Sequence, residues 1–213
     1  MKIDFSTKNC IPAEEVQRNV AWSRQAGFPH VSERSRPKLA VVGGSPSVIN
    51  HVDELRSWDG DVWACGSAFP WCRDNGIDAS FFNVDPQALM VDLARGAKHG
   101  LLSTATDKGV FEVIENIEIF ELVSFPGYKN HGVTAATATP YIAMEMGYGS
   151  KGIYFFGCES SFEKQTHTYK DEPDDNLMWV KCGENIYLTK PIYLMQAELM
   201  AVSIRILPDV LID

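Results

Sequence analysis

Three side chains in this sequence are suited to group-transfer chemistry: Asp85, His167 and Tyr169. His167 lies in the polar stretch Thr166-His-Thr-Tyr169. With a reference pKa of ~6.5, an imidazole in such a loop can take a proton from a hydroxyl near neutrality; the alternative is a solvated surface histidine. Asp85 closes the apolar run Phe81-Phe-Asn-Val84 and precedes Pro86. A carboxylate there can hold a ribose hydroxyl, an acceptor hydroxyl or a divalent metal, or it can cap a helix that starts at Pro86. Asn83, one pleat repeat earlier, is expected on the same side as Asp85.

A second group of residues suits an anion. In Lys38-Leu-Ala-Val-Val-Gly-Gly-Ser-Pro-Ser47 an apolar run stops at Gly43-Gly44, and a helix-like pattern starts after Ser45, Pro46 and Ser47. Glycines admit close backbone approach, proline suits a first helical turn, and Ser45 is the expected N-cap. Free N–H groups and the positive end of a helix dipole then favour a phosphate. The motif is neither G-x-G-x-x-G nor a Walker A loop, so a tight turn without a ligand is the alternative. Gly66-Ser67 ends the next apolar run, and Glu159 follows Gly157-Cys158 at the end of a later one. Asn130-His-Gly-Val-Thr134 precedes a run of small residues; His131, Gly132 and Thr134 form either a second anion-facing loop or a plain helix start. The expected ligand-binding set is therefore Gly43, Gly44, Ser45, Ser47, Gly66, Ser67, Asn83, His131, Gly132, Thr134 and Glu159.

These residues fall at the ends of alternating strand and helix patterns. Strands are expected over 39–42, 62–65, 80–84, 101–103, 117–123 and 153–156, as short apolar runs fit for burial on both faces. Helices are expected over 13–26, 48–58, 69–75, 87–97, 110–115, 134–146 and 193–204, several closed by glycine. Residues 163–176 carry charges and Pro173 and read as a surface loop. The alternation predicts a Rossmann-like, doubly wound, mostly parallel α/β sheet in a single domain over residues 37–213. A polar helical or extended preface over 1–36 would precede it, with Pro37 forcing an extended entry. Ligands of such sheets sit at the carboxyl ends of the strands.

Composition narrows the partners. Basic residues number 19 and acidic residues 28, for a formal net charge of −9 at pH 7, which disfavours duplex nucleic acid as the main partner but leaves room for a local basic pocket. No apolar run approaches the ~20 residues of a membrane helix. The first residues lack the apolar core of a signal peptide, so a cytoplasmic location is expected. The five cysteines, Cys10, Cys65, Cys72, Cys158 and Cys182, form no C-x-x-C pair, so reduced thiols are expected. Cys65 and Cys158 read as small core residues. The aromatic residues from Trp63 to Phe156 read as core, and Trp179 as the one suited to stack on a base or sugar.

Several blocks together resemble the 6-hydroxymethylpterin diphosphokinase MptE-like family, in particular its short members from phage genomes. The blocks are Val41-Val-Gly-Gly-Ser-Pro-Ser47, Val62-Trp-Ala-Cys-Gly-Ser67, Gly76-Ile77 with Asp85 downstream, residues 143–147, Ile153-Tyr-Phe-Phe-Gly-Cys-Glu-Ser-Ser-Phe162, and His167-Thr-Tyr169. In order and spacing they cover residues 38–200. The family is similar in turn to bacterial CMP-sugar sialyltransferases and to motility accessory factor proteins. The resemblance implies a nucleotide site at the first glycine turn and the second strand end. It implies a late histidine as base, here His167; Tyr169, two residues on, is then expected to bond the leaving phosphate. A nucleotide-dependent transferase is expected, moving a glycosyl group from a nucleotide-sugar to a hydroxyl, or a diphosphoryl group from ATP. The sequence names no cofactor; Mg²⁺ could accompany the nucleotide, with Asp85 holding either that ion or a hydroxyl, and a homo-oligomer is compatible. The alternative is a non-catalytic phage protein that sequesters a nucleotide or accompanies the virion.

Overall fold

The four residues Leu39–Val42 (β1) are all completely buried, as a central parallel strand requires. Their alternation serves two cores. Ala40 and Val42 join Val62, Ala64, Phe81 and Phe156 on one face of the sheet. Leu39 and Val41 join Trp63, Phe82, Phe120 and Phe155 on the other. The computed structural model describes residues 11–33, 38–122, 134–149, 152–161, 177–206 and 211–212.

Around β1 run β2 (Asp61–Cys65), β3 (Ser80–Asn83), β4 (His99–Ser103), β5 (Asn116–Phe120), β6 (Ile153–Phe156) and the short β9 (Leu211–Ile212). Their order is β5-β4-β3-β2-β1-β6-β9, and every neighbouring pair is parallel. The chain winds outward from β1 to β5 and then returns to the far side of β1. The strand order therefore reverses between β1 and β6, the place where open α/β sheets leave a crevice. This is the doubly wound, Rossmann-like fold expected from the alternation.

The first core is covered by a 3-10 turn (Pro46–His51), α2 (Val52–Arg56), α3 (Ala68–Asp74), α4 (Met90–Ala94) and α5 (Lys108–Phe111). The second is covered by α6 (Ala135–Glu145) and α7 (Pro191–Ile206), through Ala136, Ala138, Ile142 and Met200. Stacked rings of Trp63, Phe82 and Phe120 floor that second core.

The preface is fastened to the sheet. In α1 (Ala13–Gln25), Asn19 donates to the Ala105 carbonyl at 3.1 Å and Ser23 to the Thr104 carbonyl at 2.8 Å. Beyond it the chain lies along β5: Val31 N–H bonds Ile119 O, and Ile119 N–H bonds Pro29 O. This covers an edge that would otherwise template aggregation.

Two helices depart from expectation. The pattern over 48–58 divides into the 3-10 turn and α2. The expected helix over 87–97 shrinks to α4, because the Asp85 carboxylate holds Gln87 in a side-chain turn and Arg95 turns extended before Gly96. A hairpin absent from the sequence reading joins β7 (Met178–Cys182) to β8 (Asn185–Thr189) through Gly183-Glu184, with Gly183 at φ 61°.

Candidate functional site

The carboxyl ends of β1, β2, β3 and β6 place Gly43, Gly44, Ser45, Ser47, Gly66, Ser67, Asn83 and Glu159 on one edge of the sheet, but they differ in what is left for a ligand. At β1, Gly43 N–H donates to Phe156 O at 2.8 Å and Ser45 N–H to Gly157 O at 3.0 Å. A Cβ on Gly43 would stand 2.3 Å from Gly157 O. Gly157 itself has φ 62°, and a Cβ there would meet Val48 Cβ at 2.8 Å. These glycines let β1 and β6 turn against each other at the switch point. The close approach expected for an anion is therefore taken by protein backbone. Neither Gly43 nor Gly44 adopts a positive φ. Ser45 occupies the N-cap, as expected, but its side chain makes no capping bond. Ser47 is half-buried in the 3-10 turn.

The turn after β2 is different. Gly66 is left-handed at φ 46°, and the only heavy atom near an added Cβ would be Met90 Sδ at 4.0 Å. Gly66 N–H bonds Phe82 O, which fixes the turn, and half-buried Ser67 begins α3 without a capping bond from its side chain. The space above this turn is open.

At β3, Asn83 is buried and its amide is taken up locally. Its Nδ2 donates to Asp85 O at 2.8 Å and to Thr106 Oγ1 at 3.1 Å, and its Oδ1 accepts from Asp85 N–H. Asp85 Oδ1 accepts from Gln87 N–H at 2.9 Å and Oδ2 from Gln87 Nε2 at 3.2 Å. Asp85 thus does the capping work of its alternative reading, at a turn and not at a helix start. Ser103 and Thr106, which the sequence reading passed over, complete this buried network at 3.3 Å; the signal was the polar run Ser103-Thr-Ala-Thr106 directly after an apolar strand.

At β6, Glu159 is exposed between two anchored neighbours. Gln196 of α7 donates from Nε2 to Cys158 O at 3.1 Å and to Ser160 Oγ at 3.2 Å. The Thr189 hydroxyl bonds Ser160 O. Gln196 and Thr189 are buried polar residues that sequence reasoning did not place here; an amide in the apolar run Leu194-Met-Gln-Ala197 was the available sign. Thr134 caps α6 in a capping box with Thr137, as one of its two readings had it. His131, Gly132, His167 and Tyr169 lie outside the described residues.

The three buried thiols, Cys65, Cys72 and Cys158, are not poised to act as nucleophiles. Burial pushes the Cys158 and Cys72 thiols up to about 12, and Cys65 well above its ordinary value. Among the described residues no group of three or more His, Cys, Asp or Glu side chains could hold a metal. Asp85, whose two oxygens already accept hydrogen bonds, does not make a Mg²⁺ site without further ligands.

A groove of about 1010 Å³ opens at the opposite, amino edge of the sheet, lined by Trp58, Asp61, Asp78, His99, Glu115 and Glu118 among others. Its acidic lining disfavours an anion, and none of the expected site residues among the described ones line it. The strand-order reversal marks the carboxyl edge as the better candidate. Comparisons with protein-family models, with curated proteins and with solved structures found no match.

Proposed function

We propose that this chain is a nucleotide-dependent transferase that holds its donor across the carboxyl edge, over the ends of β1, β2 and β6. The observation that carries the reading is the reversal of strand order between β1 and β6, beside an open, left-handed Gly66 turn. The donor's phosphates lie over the Gly66-Ser67 turn because it leaves room, whereas Gly43 already abuts the Gly157 carbonyl. The Gly66 N–H is bonded to Phe82 O, so the Ser67 hydroxyl, which makes no capping bond, is the hydrogen-bond donor offered there. Glu159 and Ser160, held by Gln196 and Thr189, face the sugar or ribose hydroxyls. His167 takes the proton from the acceptor hydroxyl, a step worth roughly 10²–10⁴-fold in rate. Tyr169 bonds the leaving phosphate. The resemblance to the MptE-like family and its CMP-sugar relatives supports this division of roles. Glycosyl transfer is preferred to diphosphoryl transfer because the chain has no Walker lysine and the described residues hold no carboxylate cluster.

A second reading, a nucleotide binder without turnover, is favoured by the Asp85 carboxylate, which accepts from Gln87 through both oxygens. Thermal unfolding with CMP, UDP, ATP and NAD, each with and without Mg²⁺ and followed by product analysis, separates the readings. A nucleotide at a hundredfold its Kd stabilises by about 2.7 kcal/mol, roughly 5–10 °C for a chain of this size. Gly66→Val should abolish the shift, and His167→Ala should abolish product while keeping it. A shift without product supports the binder. No shift with any nucleotide overturns both.

A further inference from the structure

We propose that the β7–β8 hairpin is the contact through which two copies of this chain form a symmetric dimer. Among the described residues the hairpin's two strands pair only with each other, and a lone two-stranded hairpin is marginal in water. Its surface is unusually apolar: Trp179 is 70% exposed, Ile186 64%, Tyr187 42% and neighbouring Leu177 39%. Trp179 and Ile186, which share a face, leave on the order of 300 Å² uncovered, under half of the ~800 Å² that each partner buries in a specific interface, while Tyr187, opposite Val180, lies on the other face. Backbone and the remaining hairpin side chains can supply the rest.

The register gives the patch a shape. Trp179 stands opposite Leu188 and Lys181 opposite Ile186, so these four share one face. Both outer edges of the hairpin are free of proline, and five residues of β7 present a regular edge for strand addition.

The self-complementary edge of β7 selects a second copy as the occupant, and the local charge permits it. The chain carries a net −9, yet residues 177–190 hold Lys181 and Lys190 against Glu184 alone. Two copies that repel elsewhere can therefore meet here. An antiparallel pairing of β7 with itself, centred on Val180, sets Trp179 of each copy opposite the partner subunit's Lys181. That gives a cation–π pair at both ends of a self-complementary contact. The inference does not depend on the nucleotide reading, since it uses none of the residues assigned to the donor.

The test is sedimentation velocity of the full chain over a wide range of concentration, with Trp179→Lys and Ile186→Lys beside it. The wild type is expected to be a dimer, and each variant to raise the dissociation constant by roughly thirtyfold or more, as loss of a central anchor does. Circular dichroism melting checks that the variants keep the wild-type fold. A second measurement uses no disruptive change. Cys182 is the one exposed cysteine among the described residues, and it sits on the hairpin. With Cys10→Ser as background, a spin label on Cys182 should give a short, narrow distance between copies in double electron–electron resonance. A wild type that stays monomeric, a dimer untouched by both variants, or a label with no defined distance would each overturn the proposal. So would a monomer that floats with phosphatidylcholine vesicles, which would give the face to lipid.

Discussion

Gly43 and Gly66 end neighbouring strands, yet an added methyl group should have opposite consequences at the two. At Gly43 it would press against the fixed backbone carbonyl of Gly157. Gly43→Ala should therefore cost about 3 kcal/mol or more in urea unfolding, or prevent folding. At Gly66 the space is open and only the left-handed backbone resists, so Gly66→Ala should cost about 1–2 kcal/mol. The cysteines allow a second check. Because burial holds Cys65, Cys72 and Cys158 protonated, Cys182 alone of these four should react with a maleimide in the folded protein at mildly alkaline pH, and all four in denaturant. Sequence reasoning reached the glycines and the buried thiols because strand ends and apolar runs mark them. It could not tell that the partner of Gly43 is Gly157, since that contact joins segments far apart in the chain. Nor could it find Gln196, whose role depends on where α7 packs.

Among the elements, α6 and α1 offer measurable changes. The capping box of Thr134 and Thr137 starts α6, and Thr134→Ala should cost about 1 kcal/mol of stability. Arg24 of α1 bonds both oxygens of Glu121, at 2.7 and 3.0 Å. The Arg24 hydrogen bond holds the Glu121 carboxyl below its ordinary value. A carboxyl lowered on folding contributes its stability above the unfolded value and loses it as pH falls through the folded one. The pair is largely exposed, so Arg24→Ala should cost no more than about 1 kcal/mol at neutral pH. The cost should fade below the carboxylate range, as urea unfolding of both proteins at the two pH values would show. The central strands were legible because burial on both faces demands continuous apolar runs. The hairpin was missed because its apolar residues point outward as well as inward and leave no clean alternation. The helical pattern over 87–97 runs longer than the helix itself because one carboxylate, Asp85, competes for the backbone of Gln87.

For the molecule as a whole, charge and topology set the expectations. A net −9 should keep the protein off a labelled DNA duplex in fluorescence anisotropy at about 0.15 M salt. Doubly wound topology followed from the alternation of runs, but which strands flank the crevice did not. That same topology orders events in time. Leu39 is paired on one flank with Asp61, which follows soon after it, and on the other with Ile153, which comes much later. A ribosome delivers β2 to β5 long before β6, so half of the sheet can zip up while one border of β1 stays bare. The ligand edge is thus the last piece to be assembled, and a nascent chain halted short of residue 153 would offer that bare border to chaperones.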